Sequence, residues 1–234
     1  MIEIKNVTKR YGNKKAIDNI SFNIRDGEIF AFIGHNGAGK TTLIKSIVGI
    51  HEFDAGEIFI NGKSIKTEPI ECKREMAYVP DDPELYEDMK AIDFLNFICD
   101  MYDVDEKTRK KNIERYAKMF EVKDELKNPI KSFSHGMKQK IALIAALSHE
   151  PKILIMDEPF VGLDPKAIFD MKEVMREMTK EGKTIFFSTH ILDVAEKLCD
   201  RVAIVKKGKL VKLGSMREVK GDKSLEKVFL ELGE

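Results

Sequence analysis

The chain has 234 residues, of which 43% are hydrophobic and 34% are charged, so it can bury a sizeable core but is too charged to reside in a bilayer. Its 40 basic and 40 acidic residues cancel, and this neutral balance gives no electrostatic attraction to nucleic acid. The most apolar stretch, residues 141–147, is far shorter than the roughly 20 residues of a membrane-spanning helix. We therefore expect no nucleic-acid partner and no membrane span.

Strand and helix patterns alternate in the first third of the chain. Runs of apolar and alternating residues predict strands at 1–7, 17–24, 28–33, 57–60 and 76–79. Between the third and fourth of these, apolar residues at helical spacing predict a helix over residues 40–50.

Residues 81–150 differ, because three helical patterns follow one another without a strand, at 91–101, 105–120 and 136–148. After this segment strands are predicted at 152–156, 184–188, 201–205 and 209–213, and helices at 165–180, 191–198 and 224–232. The alternation predicts an α/β core with a largely parallel sheet. We expect residues 1–80 and 151–234 to form this core and residues 81–150 to form an inserted helical subdomain.

The segment between the third strand and its helix matches G-x-x-x-x-G-K-[ST] in full. The loop consists of Gly34, His35, Asn36, Gly37, Ala38, Gly39, Lys40, Thr41 and Thr42. Glycines let the backbone wrap around phosphate with its N–H groups inward, and the helix start adds the positive end of a dipole. In this motif the lysine reaches the β- and γ-phosphates and the first threonine ligates Mg²⁺. The loop therefore predicts an ATP site.

Two adjacent carboxylates, Asp157 and Glu158, end a predicted buried strand. Ligands bind at the carboxyl edge of such a sheet, so Asp157 is expected to hold Mg²⁺. Strand alternation places Glu158 on the opposite face, where it can act as general base toward water. His190 ends another predicted strand at the same edge and is expected to sense the γ-phosphate. The alternatives are an ordinary acidic strand end and a structural histidine.

Together these motifs resemble those of the nucleotide-binding subunits of ABC transporters, over residues 2–232 and in the expected order. Residues 134–139 are similar to the signature, residues 161–164 to the D-loop, His190 to the switch histidine, and Tyr11 to the aromatic that stacks on adenine. The alternative for Tyr11 is a surface aromatic in a turn before Gly12. Most like this chain are subunits of the ABC-2 type, which mainly export their substrates.

The resemblance implies a P-loop NTPase (RecA-like) core with an antiparallel β part near the N-terminus. It also implies ATP and Mg²⁺ as cofactors, and a second cassette, identical or different, that pairs head to tail with this chain. The signature residues that would bind ATP across that dimer are Ser134, His135, Gly136 and Met137, and the D-loop residue is Asp164. A separate integral membrane permease would be the partner, holding the chain at the cytoplasmic face of the membrane and contacting residues 81–101.

Three residues depart from the family pattern. His135 stands where the family usually has Gly, and Met137 where it usually has Gln. Because Ser134 and Gly136 are retained, activity is expected to survive with an altered rate. Asp81 stands where the family has the Gln that links Mg²⁺ to the membrane subunit, and it is either a metal ligand or a solvated carboxylate. The second functional hypothesis is a non-transport ABC ATPase of cluster assembly, DNA repair or translation.

Overall fold

Two sheets form within residues 1–232, the part of the chain that the computed structural model describes. The strands of the first are β1 (Ile2–Tyr11), β2 (Lys14–Ile24), β4 (Ala55–Ile60) and β5 (Lys63–Ser64). Those of the second are β3 (Ile29–Ile33), β6 (Met76–Val79), β7 (Ile153–Asp157), β8 (Thr184–Thr189), β9 (Arg201–Lys206) and β10 (Lys209–Ser215). The first sheet is antiparallel with the order β2-β1-β4-β5.

The second sheet has the order β10-β9-β3-β8-β7-β6 and is parallel except for its β9–β10 hairpin. Its central strands are apolar and buried along their whole length, as expected for parallel strands covered on both faces. Neighbouring strands β3, β8, β7 and β6 all end at the same edge. The predicted α/β fold, with a mostly parallel sheet and an antiparallel part, is confirmed.

The helices pack on both sides of the parallel sheet and beyond its edge. They are α1 (Lys40–Ile47), α2 (Pro69–Arg74), α3 (Ala91–Met101), α4 (Glu106–Met119), α5 (His135–Ser148), α6 (Pro165–Lys180), α7 (Leu192–Leu198), α8 (Met216–Lys220) and α9 (Leu225–Glu231). The apolar stretch of α5 is buried against α3 and α4, which explains why the most apolar segment of the sequence is not a membrane span. No helix within residues 1–232 has the length and apolar character needed to cross a bilayer.

Several element boundaries differ from the prediction. β1 continues to Tyr11 because its outer half pairs with β2 through polar residues, and this pairing gives no apolar signal. α1 ends at Ile47, three residues early, where Gly49 adopts a φ of 69°. The short elements α2, β5 and α8 were not predicted. The division into a core and a helical subdomain stays a prediction, and residues 233–234 lie outside the described part of the chain.

Candidate active site

The loop after β3 is shaped by glycines at positions where a side chain does not fit. A Cβ on Gly39, whose φ is 106°, would lie 2.3 Å from the carbonyl oxygen of Ala16. One on Gly34 would lie 2.7 Å from the carbonyl oxygen of Val205 in β9. At Gly37 nothing lies within 4 Å of an added Cβ, so space does not require glycine there. Its φ of 77° does, because residues other than glycine rarely adopt that angle. Glycine at these positions therefore allows a backbone course that a larger residue would block or strain.

The loop is also fixed from behind by hydrogen bonds. The Ala38 N–H donates to the carbonyl oxygen of His35 at 3.1 Å. The carbonyl oxygen of Ala38 in turn accepts from the N–H of Gly208, in the β9–β10 turn, at 3.0 Å. The carbonyl oxygen of Gly208 accepts from the N–H of Asp18 at 2.8 Å. Strands distant in sequence therefore hold the phosphate loop in place.

Lys40 begins α1 and its side chain is only 6% exposed. Its ammonium donates to the carbonyl oxygen of Gly34 at 2.8 Å and lies 3.1 Å from Oε1 of Glu158. A buried ammonium at a helix N-terminus gives a strongly anion-attracting point at the mouth of the loop.

Asp157 and Ser188 lie opposite each other near the ends of β7 and β8. Asp157 is 1% exposed, and its Oδ1 accepts a short hydrogen bond from the hydroxyl of Ser188. The same hydroxyl accepts from the N–H of Glu158 at 3.1 Å. Ser188 thus fixes both acidic residues. Nothing in the sequence singles it out, and only the β7–β8 register would reveal it.

The backbone of Glu158 departs from the strand geometry that the prediction assumed. β7 ends at Asp157, and Glu158 adopts a left-handed φ of 47°, so the expectation that alternation orients its side chain was wrong. Such a φ is costly for a non-glycine residue and clusters at functional sites. Its Oε2 lies 2.9 Å from Nδ1 of His190 and accepts from the His190 N–H at 3.2 Å. Glu158 therefore bridges Lys40 and His190.

A cleft of about 460 Å³ opens in front of the loop. Its predicted lining residues are Tyr11, Asn36, Gly37, Gly39, Lys40, Thr41, Thr42, Asp81 and Glu158, joined by the unpredicted Lys14 and Ala16. Gly34 and Ala38 are buried behind the loop, and His35 lies on its outer side against Phe229, with 4.6 Å between the ring centroids. The structure thus brings loop, general-base candidate, Tyr11 and Asp81 around one space.

Tyr11 stands at the rim of this cleft, at the end of β1, and is 49% exposed. Its hydroxyl lies 2.9 Å from Nδ1 of His51, and the ammonium of Lys9 lies 5.3 Å from its ring centroid. Burial, and then the charges of Lys45 and Lys9, lower the pKa of His51. The exposed ring is therefore held in place by its edge and its hydroxyl, with a face available for stacking.

Asp81 follows β6 and lies next to the other carboxylates. Burial, and then the charges of Asp157 and Glu158, raise its pKa. The same two causes, burial and a neighbouring Asp157, raise the pKa of Tyr78. This concentration of negative charge favours a cation. Within residues 1–232 no cluster of three or more His, Cys, Asp or Glu side chains forms a complete metal cage, as expected where phosphate and water supply the other ligands.

The predicted signature lies apart from the cleft, at the N-terminus of α5. Ser134 is its N-cap, and its hydroxyl accepts from the Met137 N–H at 3.3 Å. A Cβ on Gly136 would lie 2.7 Å from the carbonyl oxygen of Gly162. None of residues 134–137 lines the cleft formed by the described part of the chain. The signature therefore stands outside the nucleotide cleft of its own chain.

The signature and the predicted D-loop are joined to each other. The Lys140 ammonium lies 2.7 Å from the Asp164 carboxylate, and that hydrogen bond lowers the pKa of Asp164. Asp164 also caps α6 by accepting from the Ala167 N–H at 2.9 Å. Nδ1 of His135 lies 3.7 Å from the Asp82 carboxylate, and its ring packs against Gly162. The His135 side chain therefore occupies the space between Asp82 and Gly162 that the family's usual glycine would leave empty.

Comparison with known proteins gives a consistent result. A family model described as ABC transporter matches residues 17–161. An uncharacterised ABC transporter ATP-binding protein of Methanocaldococcus jannaschii is 38% identical over 218 residues, covering 93% of this chain and 79% of the relative. In Bacillus subtilis, the ABC-type transporter ATP-binding protein EcsA is 35% identical over 99% of this chain and 96% of the relative. The linearmycin resistance ATP-binding protein LnrL is 34% identical, covering 94% and 70%.

Solved structures agree with the sequence relatives. One described as the ATP-binding subunit of an ABC transporter superposes with a TM-score of 0.96 at 34% identity, covering 100% of both chains. Another, a dimeric post-hydrolysis ATP-binding cassette bound to ADP and phosphate, has a TM-score of 0.84 at 25% identity, covering 93% of this chain and 99% of that one.

Proposed function

The chain belongs to the ABC transporter family, as an ATP-hydrolysing subunit of a membrane transport complex, and from that premise we propose how its residues carry out the reaction. The observation that carries the proposal is that Lys40 and Glu158 line one cleft and that the Glu158 carboxylate contacts both the Lys40 ammonium and the His190 ring. The phosphate loop binds the ATP phosphates, with Lys40 on the β- and γ-phosphates. Glu158 takes a proton from the attacking water as the bond to the γ-phosphate breaks. His190 orients Glu158 and contacts the γ-phosphate.

Mg²⁺ is proposed to bind between the phosphates, the Thr41 hydroxyl and Asp157. The fit rests on the donor set, since a hydroxyl and a carboxylate at a phosphate site are the oxygen ligands that Mg²⁺ prefers. When bound, the ion neutralises the charge that develops on the phosphate oxygens. Asp81 is proposed as a further ligand, through water. Burial and then the nearby charges of Asp157 and Glu158 raise its pKa, and a cation at this place would relieve the repulsion among the three carboxylates.

The site is proposed to be completed by a second cassette. Ser134 and the N–H groups of Gly136 and Met137 would bind the γ-phosphate held by the other chain, and His135 and Asp164 would hold that surface in shape. The support is geometric, because these residues lie outside their own chain's cleft and at a helix N-terminus.

Complementation between two inactive chains tests the shared site. Lys40→Ala removes the phosphate ligand, and Ser134→Arg blocks the signature, so each variant alone is expected to lack turnover. A mixed dimer would contain one site with the wild-type loop of one chain and the wild-type signature of the other. Mixing should therefore restore ATP hydrolysis. If mixing restores nothing while each variant remains folded and dimerises, loop and signature do not act across an interface.

We propose that the complex exports its substrate, because export of a drug would account for the linearmycin resistance named in the relative LnrL. The partner is a membrane permease, and the second function considered, a non-transport ATPase, has no support among these relatives. Exposed apolar side chains on the helical segment, Tyr86 at 59%, Phe97 at 39% and Met101 at 62%, support docking of a permease helix there. The proposed location is the cytoplasmic face of the membrane.

Charge substitution tests this docking surface. Phe97→Asp should abolish co-purification with an identified permease from solubilised membranes, while ATP binding by the chain itself is retained. Ile70→Asp, which is also exposed but lies on α2, is the matched control and should co-purify normally. Equal recovery with both variants would exclude the surface. In vesicles with the ATPase side outward, ATP-driven uptake of substrate would establish export.

A further inference from the structure

The last helix of the described chain, α9, touches the phosphate loop, although no motif assigns it a role. Phe229 on α9 is 9% exposed, and its ring centroid lies 4.6 Å from that of His35, at an angle of 53°. The His35 side chain is otherwise exposed, so this tilted ring contact is its main packing. The contact joins one of the last residues of the described chain to the second residue of the loop.

α9 is tied down at both ends. At its start, the Leu225 N–H donates to Oε2 of Glu196 on α7 at 2.8 Å. At its end, the ammonium of Lys206, the last residue of β9, donates to the carbonyl oxygen of Leu232 at 2.9 Å. α7 follows directly after His190, and β9 contributes Val205, which packs behind Gly34. α9 is therefore bonded at one end to the helix that follows His190 and at the other end to the strand that packs behind the phosphate loop.

The backbone of His35 participates in the loop's own structure. Its carbonyl oxygen accepts from the Ala38 N–H at 3.1 Å and from the Lys40 ammonium at 3.4 Å. A change in the position of His35 would thus be transmitted to the lysine and to the turn that forms the phosphate cradle. Loops that must hold several N–H groups in one arrangement bind weakly when that arrangement is only partly populated.

We propose that Phe229 is a positioning residue for the ATP site, and that its ring holds His35 so that the phosphate loop keeps its binding conformation. This inference rests on the proposed role of the loop in ATP binding. It assigns α9 a function in nucleotide affinity rather than in the chemical step, because Phe229 does not line the cleft.

The test measures the Kd of a fluorescent ATP analogue with Mg²⁺, on the full chain, well below the Tm of each variant. Phe229→Leu keeps an apolar side chain at this position of α9 but removes the ring. It should weaken binding about two- to tenfold, the range expected for one aromatic contact. His35→Ala, at an exposed side chain, should weaken binding by a similar factor. Phe229→Tyr retains the ring and should bind like wild type.

The double variant separates positioning from stability. If Phe229 acts through His35, the double variant with His35→Ala and Phe229→Leu should have the same Kd for the ATP analogue as the single variant that binds it less tightly. Leu230→Ala, on the same helix but 62% exposed, is the control and should leave Kd unchanged. A purely structural Phe229 would lower Tm without changing Kd, and that result, or additive losses, would overturn the inference. Failure of the wild-type chain to bind would instead contradict the loop assignment.

Discussion

The phosphate-loop side of the site and the signature side differ in how much of their environment the chain itself supplies. Lys40, Asp157 and Glu158 are buried. Lys40 donates to the carbonyl oxygen of Gly34, directly after β3, and both acidic residues are held by the Ser188 hydroxyl of β8. Ser134, by contrast, is exposed at the start of α5, and its hydroxyl accepts from the Met137 N–H of its own helix. The loop side is therefore largely built by its own chain, whereas the signature side is open, as the proposed binding of a second chain's nucleotide requires.

The difference has a thermodynamic meaning. In the proposed mechanism the loop binds ATP without a partner, and this ATP contacts the signature only when two chains approach each other. ATP would then favour the closed pair by the contacts that exist in that state alone. Loss of the γ-phosphate would remove these contacts and allow the pair to reopen.

Glu158→Gln is expected to give the largest effect. The amide has the same size but cannot take a proton from water, so turnover should fall by about 10²- to 10⁴-fold. ATP binding should persist, and the unhydrolysed nucleotide should accumulate a dimer visible by size-exclusion chromatography. Glu173→Gln, at a half-exposed position on α6, serves as control. Undiminished turnover would contradict the general-base role.

Two glycine-to-alanine variants test the contrast between the sides directly. Gly37→Ala places a side chain at a φ of 77°, so the free loop of the variant should relax to another conformation. Restoring this φ on binding costs about 1–2 kcal/mol and should weaken ATP binding by about five- to thirtyfold. Gly136→Ala would press against the Gly162 carbonyl and should leave the Kd for ATP unchanged while abolishing ATP-dependent dimerisation. If Gly136→Ala also weakened binding to the single chain, the two sides would not be independent.

Acid is expected to destabilise the far end of the signature helix. His149 caps α5 and stacks on Tyr102 with 3.7 Å between ring centroids, and burial lowers its pKa to about 4. Because the unfolded chain protonates this histidine near pH 6.5 and the folded chain does not, stability falls as the pH drops between these values. From pH 7 to 5 this linkage should cost about 2 kcal/mol.

Denaturant titrations at pH 7 and 5 would measure that loss, and His149→Phe, which keeps the ring stack, should reduce it. Comparison with this variant also controls for the carboxyl groups, which titrate in the same way in the wild-type chain and in His149→Phe. A pH dependence that is the same in both would exclude His149 as its source.

The smallest effect is expected at Asp81, where the loop side and the signature side meet. The raised pKa means that its charge opposes folding at neutral pH, so Asp81→Asn should raise Tm at pH 7, with the gain disappearing as the pH falls through the pKa of the folded chain. If Asp81 also ligates the ion, the Mg²⁺ concentration for half-maximal ATPase activity should increase. A Tm that is unchanged at pH 7 would show that Asp81 is freely solvated.

The sequence was informative where chemistry depends on neighbours along the chain. The phosphate loop and the Asp157–Glu158 pair are contiguous motifs, and the strands that deliver them are continuous apolar runs. Ser188, His51 and Phe229 gave no signal, because their importance depends on strand order or on contacts between residues far apart in the sequence. Strand alternation does not account for the orientation of Glu158, since this left-handed residue directly after β7 ends the alternation that strand rules assume.

The β9–β10 turn has a practical consequence for anyone who labels this protein. Exposed two-residue turns are normally good places to insert an epitope or a fluorophore tag. Here the N–H of Gly208 supports the phosphate loop, and a Cβ at that position would lie 2.7 Å from the carbonyl oxygen of Ala16. An insertion there would disturb the hydrogen bond that holds the phosphate loop from behind. The β4–β5 turn at Gly62, where nothing lies within 4 Å of an added Cβ, offers the safer attachment point.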